Sequence, residues 1–306
     1  MSSNSIKDIS KDLKTEVVVR QSTERAEWEE LLRLTNEENW NYTISDFEVY
    51  FRCDPEGVFV ALIDGKPVGF TVAINWSDEI AVGGLSIVNK RYRGQGIGKA
   101  LWSERIKHIG DRSFMLFSVQ NRVEANMRLG FKVELCRMHI MCGKVNKKTI
   151  SVSRAGIDHH CIVHFKEGHF DRILAYDNLI HYIKPREAFL RLWFAKDEAR
   201  VAVAMTGDRV VGYGCIYPTS EGYIIGPLYA DAGDIAADLL GRLLETVPEP
   251  EPEISMFVFN DNAGFQLAKE LNMSFRSQND AAMCTKKIRY KTDQIYATFG
   301  PSLTFV

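Results

Sequence analysis

The chain has no apolar run approaching the ~18–20 residues that cross a bilayer, so nothing in it reads as a membrane-spanning helix. It also lacks a C-x-x-C pair. Cys53, Cys136, Cys142, Cys161, Cys215 and Cys284 stand far apart, which argues for free, mostly buried thiols in a reducing compartment. Nor is there an excess of charge of one sign. Lys and Arg number 38 against 40 Asp and Glu, a net of −2, so no global basic field awaits a phosphate backbone and nucleic acid is not an expected partner. Any anion site must come from a local cluster. With only 9 Pro and 22 Gly, a collagen-like or wholly disordered chain is excluded. The opening Met1-Ser2-Ser3-Asn4-Ser5-Ile6-Lys7-Asp8 has no apolar segment of the secretory kind, and the expectation is a soluble, cytoplasmic protein.

What is present is a hydrophobic fraction of 45% in 306 residues, about twice the usual single-domain length, which predicts two domains. An internal repeat supports this. Val58-Phe59-Val60-Ala61-Leu62-Ile63-Asp64-Gly65-Lys66-Pro67-Val68-Gly69-Phe70 lies without a gap over the stretch Val201 to Tyr213, each residue answering one 143 positions on. Both read as strand, tight turn, strand, with Asp64-Gly65 and Gly207-Asp208 as the turn dipeptides. Two such hairpins spaced near half the chain length point to a duplicated domain.

The first half reads as a strand from Glu16 to Arg20, a helix capped by Thr23, a second helix from Ser45-Asp46, and then the hairpin. A strand over Ile80–Val88, a glycine-rich turn, a helix to about Ile109 and a strand over Phe114–Val119 follow. A short helix over Val123–Leu129 and strand-like sequence from Val133 to Met141 complete it. Gly143 to Lys148 reads as a polar, basic linker. The second half repeats the theme, with helices near Asp171–Tyr182, Arg186–Phe194, Ile235–Leu244 and Ala263–Leu271. The predicted fold class is α/β, with a mixed, mostly antiparallel sheet flanked by helices in each of two tandem domains. Their expected ranges are a tail over 1–15 and domains over 16–145 and 146–306.

Chemistry concentrates at Asn89-Lys90-Arg91-Tyr92-Arg93-Gly94-Gln95-Gly96-Ile97-Gly98-Lys99. Glycines let backbone N–H groups converge, the following helix start adds a partial positive charge, and residues 90–99 hold four cations and no acid. This is an anion cradle suited to a diphosphate. The order G-x-x-x-x-G-K-S/T of a P-loop is absent, and the spacing G-x-G-x-G is not the dinucleotide fingerprint. The plain alternative is a tight turn in which the glycines merely permit packing.

Arg93-x-x-Gly96-x-Gly98 after a strand resembles the Q/R-x-x-G-x-G/A signature of the GNAT acetyltransferase superfamily. Asn121-Arg122-Val123-Glu124-Ala125-Asn126-Met127-Arg128-Leu129-Gly130-Phe131 is similar to that superfamily's N-x-x-A…G-F helix and turn. Glu38-Asn39-Trp40-Asn41, Asp46, the stretch Asp54 to Ala61 and the stretch Ile225 to Asp231 resemble the two-domain YitH-type subgroup. The resemblance runs over nearly the whole chain from about residue 16. It implies an N-acetyltransferase using acetyl-CoA and no metal. By that resemblance Arg91, Arg93, Gly94, Gln95, Gly96, Ile97, Gly98 and Lys99 would cradle the diphosphate. Ser86, Ile87 and Val88 would offer strand backbone to the pantetheine arm and polarise the thioester, and Asn121, Asn126 and Arg128 would border the far side.

Amine acetylation needs a neutral amine. An alkylamine of pKa near ~10.4 is neutral in about one molecule in 2,500 at pH 7, a cost of ~4.6 kcal/mol. The superfamily often places an acid on the strand before the glycine turn, where this chain has Val82. The proton-acceptor candidates are therefore Glu38, Asp46 and Glu79 with its neighbour Asp78, Glu38 beside Trp40 coming first. A family Tyr that protonates the leaving thiolate is replaced by Asn126, with Ala268 in the matching place of the second half. A thiol of pKa near ~8.5 leaves tolerably without it. In the second domain Asp231 and Asp234 stand where phosphates would need cations, so no second acetyl-CoA is expected. That domain would instead wall the acceptor pocket, with Trp40 from the first half and Tyr213, Tyr217, Tyr223 and Tyr229 as lining. The acceptor is read as a small-molecule amine. A protein lysine or N-terminal acetyltransferase and a non-catalytic acyl-CoA sensor are the alternatives, and the oligomeric state is left open. His159-His160-Cys161 with His164 lacks a second ligand pair at metal spacing, and no G-x-S-x-G elbow is present.

Overall fold

The computed structural model describes residues 16–145, 160–181, 186–248, 252–286 and 293–300, leaving the expected tail over 1–15, His159 and linker residues 146–148 outside. The described residues fall into two compact units, divided within the fifth strand between Phe114 and Met115.

The first unit is an antiparallel sheet in the order β1(Val18–Gln21), β2(Val58–Ile63), β3(Lys66–Asn75), β4(Ile80–Val88). β2 is buried at every position and β3 at seven consecutive ones. Strands buried on both faces need helices on both faces. α3(Ile97–Ile109) covers one, its Ile97 and Leu101 packing with Phe59, Ala61, Ile63 and Val68. α1(Arg25–Asn36) and α2(Ile44–Cys53) complete the unit. Neither starts where the pattern of Ser and Thr suggests. α1 has Glu24 at its N-cap with no side-chain cap, so Thr23 does not serve. α2 is capped two residues before Ser45, by Thr43, in a capping box closed by Asp46.

The second unit holds β5(Ser113–Ser118) from Met115 onward, and its strand order is β5, β12, β6, β11, β10, β9, β8, β7. These are β6(Val133–Lys144), β7(Cys161–His164), β8(Arg200–Thr206), β9(Arg209–Thr219), β10(Gly222–Ala230), β11(Glu253–Phe259) and β12(Ser274–Cys284). The short β13(Ile295–Ala297) pairs with β10. The helices are α4(Val123–Arg128), α5(Phe170–Ile180), α6(Glu187–Phe194), α7(Gly233–Leu244) and α8(Ala263–Glu270). Only β10 and β11 run parallel among these pairings. β12 lies between β5 and β6, pairing Ala281 with both Ser118 and Arg137. Strands from early and late sequence are thus interleaved. The expected linker is shorter than read, since Gly143 and Lys144 are still in β6, opposite Ile254 and Glu253.

The repeat is exact in register. Ala61 faces Gly69 and Ala204 faces Gly212, and in each hairpin the register slips at the next residue, so that Leu62 faces Pro67 and Met205 faces Val210. It extends into the third strand. Thr71 pairs with Ser86 and Ala73 with Gly83; Gly214 pairs with Leu228 and Ile216 with Ile225. Each third strand therefore carries one extra residue, a β-bulge at Gly84-Leu85 and at Gly226-Pro227. A Cβ on Gly69 would lie 3.2 Å from Leu101 Cδ1, and one on Gly212 3.0 Å from Leu239 Cδ1. Both glycines let a helix settle onto the sheet, which matches α3 with α7.

Asp54 and His108 tie the ends of α2, β3 and α3 together. Asp54 Oδ2 accepts from Asn75 N–H at 2.7 Å and stands 2.7 Å from His108 Nε2, while Asn75 Nδ2 donates to His108 O at 2.9 Å. Burial pushes the Asp54 carboxyl upward, but these hydrogen bonds outweigh it and hold it below the usual range. A carboxyl whose folded value is depressed stabilises the fold above its unfolded pKa and loses that contribution as pH falls through the folded value. Asp54→Asn should therefore cost about 1.5–3 kcal/mol at pH 7, and the gap to wild type should shrink below pH ~4, as read by urea unfolding at the two pH values.

Candidate functional site

β4 ends at Val88, α3 begins at Ile97, and residues 89–96 between them build the turn. Asn89 Oδ1 accepts from Arg91 N–H at 3.0 Å and opens one 3-10 turn over Lys90–Tyr92. Gly94 and Gly96 then adopt φ of +79° and +84°, the left-handed region that glycine enters without steric cost. Gly96 is the N-cap of α3 and brings no side chain to accept the first helical N–H groups. Those groups point outward together with the positive end of the helix dipole. A Cβ on Gly94 would meet nothing within 4 Å, and one on Gly98 would meet only Val88 Cγ2 at 4.0 Å. Internal packing therefore does not explain Gly98; the backbone faces open space. Ile97 is buried in the core of the unit, while Lys90, Arg91, Arg93, Gly94 and Lys99 are exposed and Gln95 is half-buried. Beside the turn a polar cavity of about 570 Å³ is lined by Arg20, Lys66, Arg91 and Tyr92 among others.

The turn is tied to the end of α1 by charge. Arg93 Nε donates to Val88 O at 2.9 Å and its Nη2 to Glu38 Oε1 at 2.7 Å. Lys90 Nζ lies 3.4 Å from the same oxygen and donates to Glu37 O at 3.3 Å. Burial raises the Glu38 carboxyl, but Arg93 and Lys90 together hold it below the usual carboxylate range. Trp40 follows, half-buried, between Asn39 and Asn41, both left-handed at φ 57° and 54°. Asp46 is buried and spent on α2, accepting from Thr43 N–H at 2.7 Å and from Thr43 Oγ1 at 2.8 Å. Asp78 and Glu79 are exposed, and the Glu79 carbonyl accepts from Ser113 N–H at 2.8 Å. Val82, in the place of the family acid, is 2% exposed. On β4, Ser86 is exposed, Val88 half-buried and Ile87 buried.

The remaining candidates belong to the other unit. Asn121 and Arg128 are exposed, while Asn126 Nδ2 donates to Ser118 Oγ at 2.8 Å. The match of Asn126 with Ala268 holds in the backbone: Phe131 N–H donates to Asn126 O and Met273 N–H to Ala268 O. Tyr213 does not line a pocket. It is fully buried, and its hydroxyl donates at 2.5 Å to Asp177, which also accepts from Arg186 Nε at 2.5 Å. Tyr217 and Tyr229 are buried with it, because the face of β9 and β10 under α5 and α6 is closed by aromatic rings packed edge to face. Tyr223 is half-buried against the core. Among the described residues no group of three or more His, Cys, Asp or Glu could hold a metal.

The second unit's counterpart of the turn is reduced to Asp231 and Ala232 between β10 and α7. Asp231 accepts from Gln294 Nε2 at 2.8 Å, and Asp234 stands in the first turn of α7. β10 pairs with β11 only over Tyr223–Ile225 and then with β13 at Leu228 and Tyr229, while Thr298 N–H donates to Phe257 O of β11 at 2.9 Å. The C-terminal segment fills the gap where β10 and β11 part. Sequence reasoning found the acidic turn but not this strand, which only long-range pairing reveals.

The groups present at residues 89–99 therefore suit the diphosphate of acetyl-CoA: outward backbone donors, open space above glycine, and surrounding cations. No described helix is long and apolar enough to cross a membrane. The profile described as "Acetyltransferase (GNAT) family" matches residues 26–131, and that described as "Acetyltransferase (GNAT) domain" matches residues 175–297. A holothin acyltransferase from Pseudoalteromonas sp. (strain SANK 73390) is 25% identical over 224 residues, 73% of either chain. A crystal structure of a putative acetyltransferase from Pyrococcus horikoshii superposes with a TM-score of 0.73 at 18% identity, covering 94% of this chain and 95% of its own. A tandem GNAT protein from the clavulanic acid biosynthesis pathway superposes at 0.65 and 12% identity, over 90% of this chain and 100% of its own. The two profiles together span most of the chain, one in each half, and this chain belongs to the GNAT acetyltransferases as a tandem-domain N-acyltransferase.

Proposed function

We propose that the chain is an acetyl-CoA-dependent N-acetyltransferase acting on a small-molecule primary amine in a ternary complex. The glycine turn carries the reading: its outward N–H groups, its cations and its open face form one anion site, and among the described residues no comparable one is built in the second half. When bound, acetyl-CoA supplies an activated thioester that a neutral amine can attack directly. The backbone from Gly94 to Lys99, with Arg91 and Arg93, would hold its diphosphate. Ser86, Ile87 and Val88 would offer main-chain groups to the pantetheine arm. Trp40, fixed between two left-handed asparagines, would face the acceptor, and the name of the holothin acyltransferase supports a small acceptor.

Proton removal is the step for which the chain brings least. Asp46 is committed to its helix cap, and Glu38 neutralises Arg93 and Lys90 in place of taking a proton. Of the three candidates that leaves Glu79, exposed just ahead of β4, but along an extended strand it stands on the order of 20 Å from Ser86, so the amine's proton passes to solvent. With the proton passed to solvent before attack, kcat/KM should rise about tenfold per pH unit below the acceptor's pKa. Glu38→Gln should leave that slope unchanged and tighten CoA binding about 2–5-fold at low salt, a gain abolished at ~1 M salt, as read by pH–rate profiles and calorimetry. A loss of rate confined to low pH in Glu38→Gln would return Glu38 to the role of base.

The interrupted gap between β10 and β11 and the acidic turn ahead of α7 support a single acetyl-CoA per chain. Calorimetry should give a 1:1 stoichiometry, and Gly96→Val, which forces a β-branched residue to positive φ, should weaken CoA binding by at least about 10-fold while the chain stays folded.

A further inference from the structure

Arg105 of α3 is 2% exposed and, among the described residues, has no carboxylate partner. Its Nη1 donates to Thr71 Oγ1 at 3.2 Å, while Nε and Nη2 have no hydrogen-bond partner among the described residues. The guanidinium lies 4.4 Å from the centroid of Phe114 and 5.6 Å from that of Trp102, so aromatic faces are its other company. Room for it is made by Gly83, where a Cβ would lie 2.6 Å from Nη2. Burial lowers the guanidinium to about 9, still protonated at neutral pH. A desolvated cation without a counter-ion is costly, and its field acts on whatever dipoles adjoin it.

The adjoining dipole is a particular peptide. Thr71 Oγ1, which accepts from Arg105, itself donates to Leu85 O at 3.4 Å. Leu85 sits in the β4 bulge, and its carbonyl shares a peptide with the N–H of Ser86. In a trans peptide the two point in opposite directions, so a carbonyl turned toward Thr71 on β3 sends the Ser86 N–H outward from that edge. Cation, hydroxyl and peptide thus form a chain in which each bond strengthens the next, ending at an N–H donor on the strand that borders the glycine turn.

The second half supplies an internal control. Gly214 stands in register for Thr71, Pro227 for Leu85, and Leu243 for Arg105, four residues beyond the Leu239 that answers Leu101. A Cβ on Gly214 would lie 3.3 Å from Pro227 O and 3.0 Å from Leu243 Cδ1. The fold is thus satisfied by a leucine at this spot, and of the two matching positions only the one in the half with the anion cradle carries a buried charge.

We propose that Arg105 and Thr71 are positioning residues for acyl transfer: they orient and polarise the Leu85–Ser86 peptide so that the Ser86 N–H draws charge onto the thioester oxygen. This rests on the proposed acetyl-CoA reading. The test uses the full chain with Thr71→Val, Thr71→Ser and Arg105→Lys, measuring turnover, CoA affinity and the infrared carbonyl stretch of bound acetyl-CoA labelled with carbon-13 at the carbonyl. Thr71→Val should lower kcat about 10-fold and move the stretch toward its value in water. CoA, which lacks the carbonyl, should bind within about 2-fold of wild type, and Thr71→Ser should restore both readouts. Arg105→Lys should shift the stretch in the same direction as Thr71→Val. A folded Thr71→Val with wild-type kcat and stretch overturns the proposal, as does a Thr71→Ser as impaired as Thr71→Val, which would mean packing alone. A wild-type chain that binds no acetyl-CoA removes the functional reading and this proposal together; wild-type turnover with an indifferent Thr71→Val removes only the proposal.

Discussion

A β-bulge sets two residues of one strand against one of its partner, and the surplus residue turns a stretch of main chain out of the ladder. In this chain that displacement occurs twice at matching places, at Gly84-Leu85 and at Gly226-Pro227. The rest of each half is arranged around it. A glycine on the preceding strand lets a helix lie close, and the strand leads toward that helix's positive end. What differs is how the displaced main chain is answered. In the second half a late strand and a ring of aromatic side chains answer it from within the protein. In the first half the loop from Asn89 to Gly96 is long enough, and bare enough of side chains at its glycines, to leave its donors facing outward.

Electrostatics follow the same division. The first half gathers Lys90, Arg91, Arg93 and Lys99 about its helix start, moderated by Glu38, and buries Arg105 beneath the adjoining strand without any carboxylate. The second half buries its cation beside an anion, Arg186 against Asp177 at 2.5 Å, and places Asp231 and Asp234 at its helix start. A paired buried charge holds a core in one arrangement, whereas an unpaired one polarises its neighbours. Duplication of one fold has therefore left two copies of the geometry with opposite electrical character.

Much of this was legible in the sequence where the signal is local. The hairpins 143 positions apart, the strand–turn–helix around Gly96 and the short helix ahead of Gly130-Phe131 are set by residues close together in the chain, and they stand where expected. Distant partners were not legible. Glu38 read as a free acid because Arg93 is 55 residues away, and Tyr213 read as lining because nothing near it in sequence announces Asp177. Thr71, Leu85 and Arg105 carry no signal in the sequence, since a hydroxyl, an apolar residue and an arginine on a helix have no pattern of their own. The insertion of β12 between β5 and β6 is of the same kind, because strand order is decided by pairing across the whole sheet.

That insertion has a genetic consequence. Once Ser274–Cys284 lies between two strands more than a hundred positions earlier in sequence, the first half cannot fill the place between β5 and β6 from its own stretch of chain. Recombination that shuffles whole modules would deliver a half with an unpaired edge, prone to aggregate. The ancestral duplication is in this sense locked in: the halves remain free to diverge in side chains, as Leu243 and Arg105 have, but not to part company.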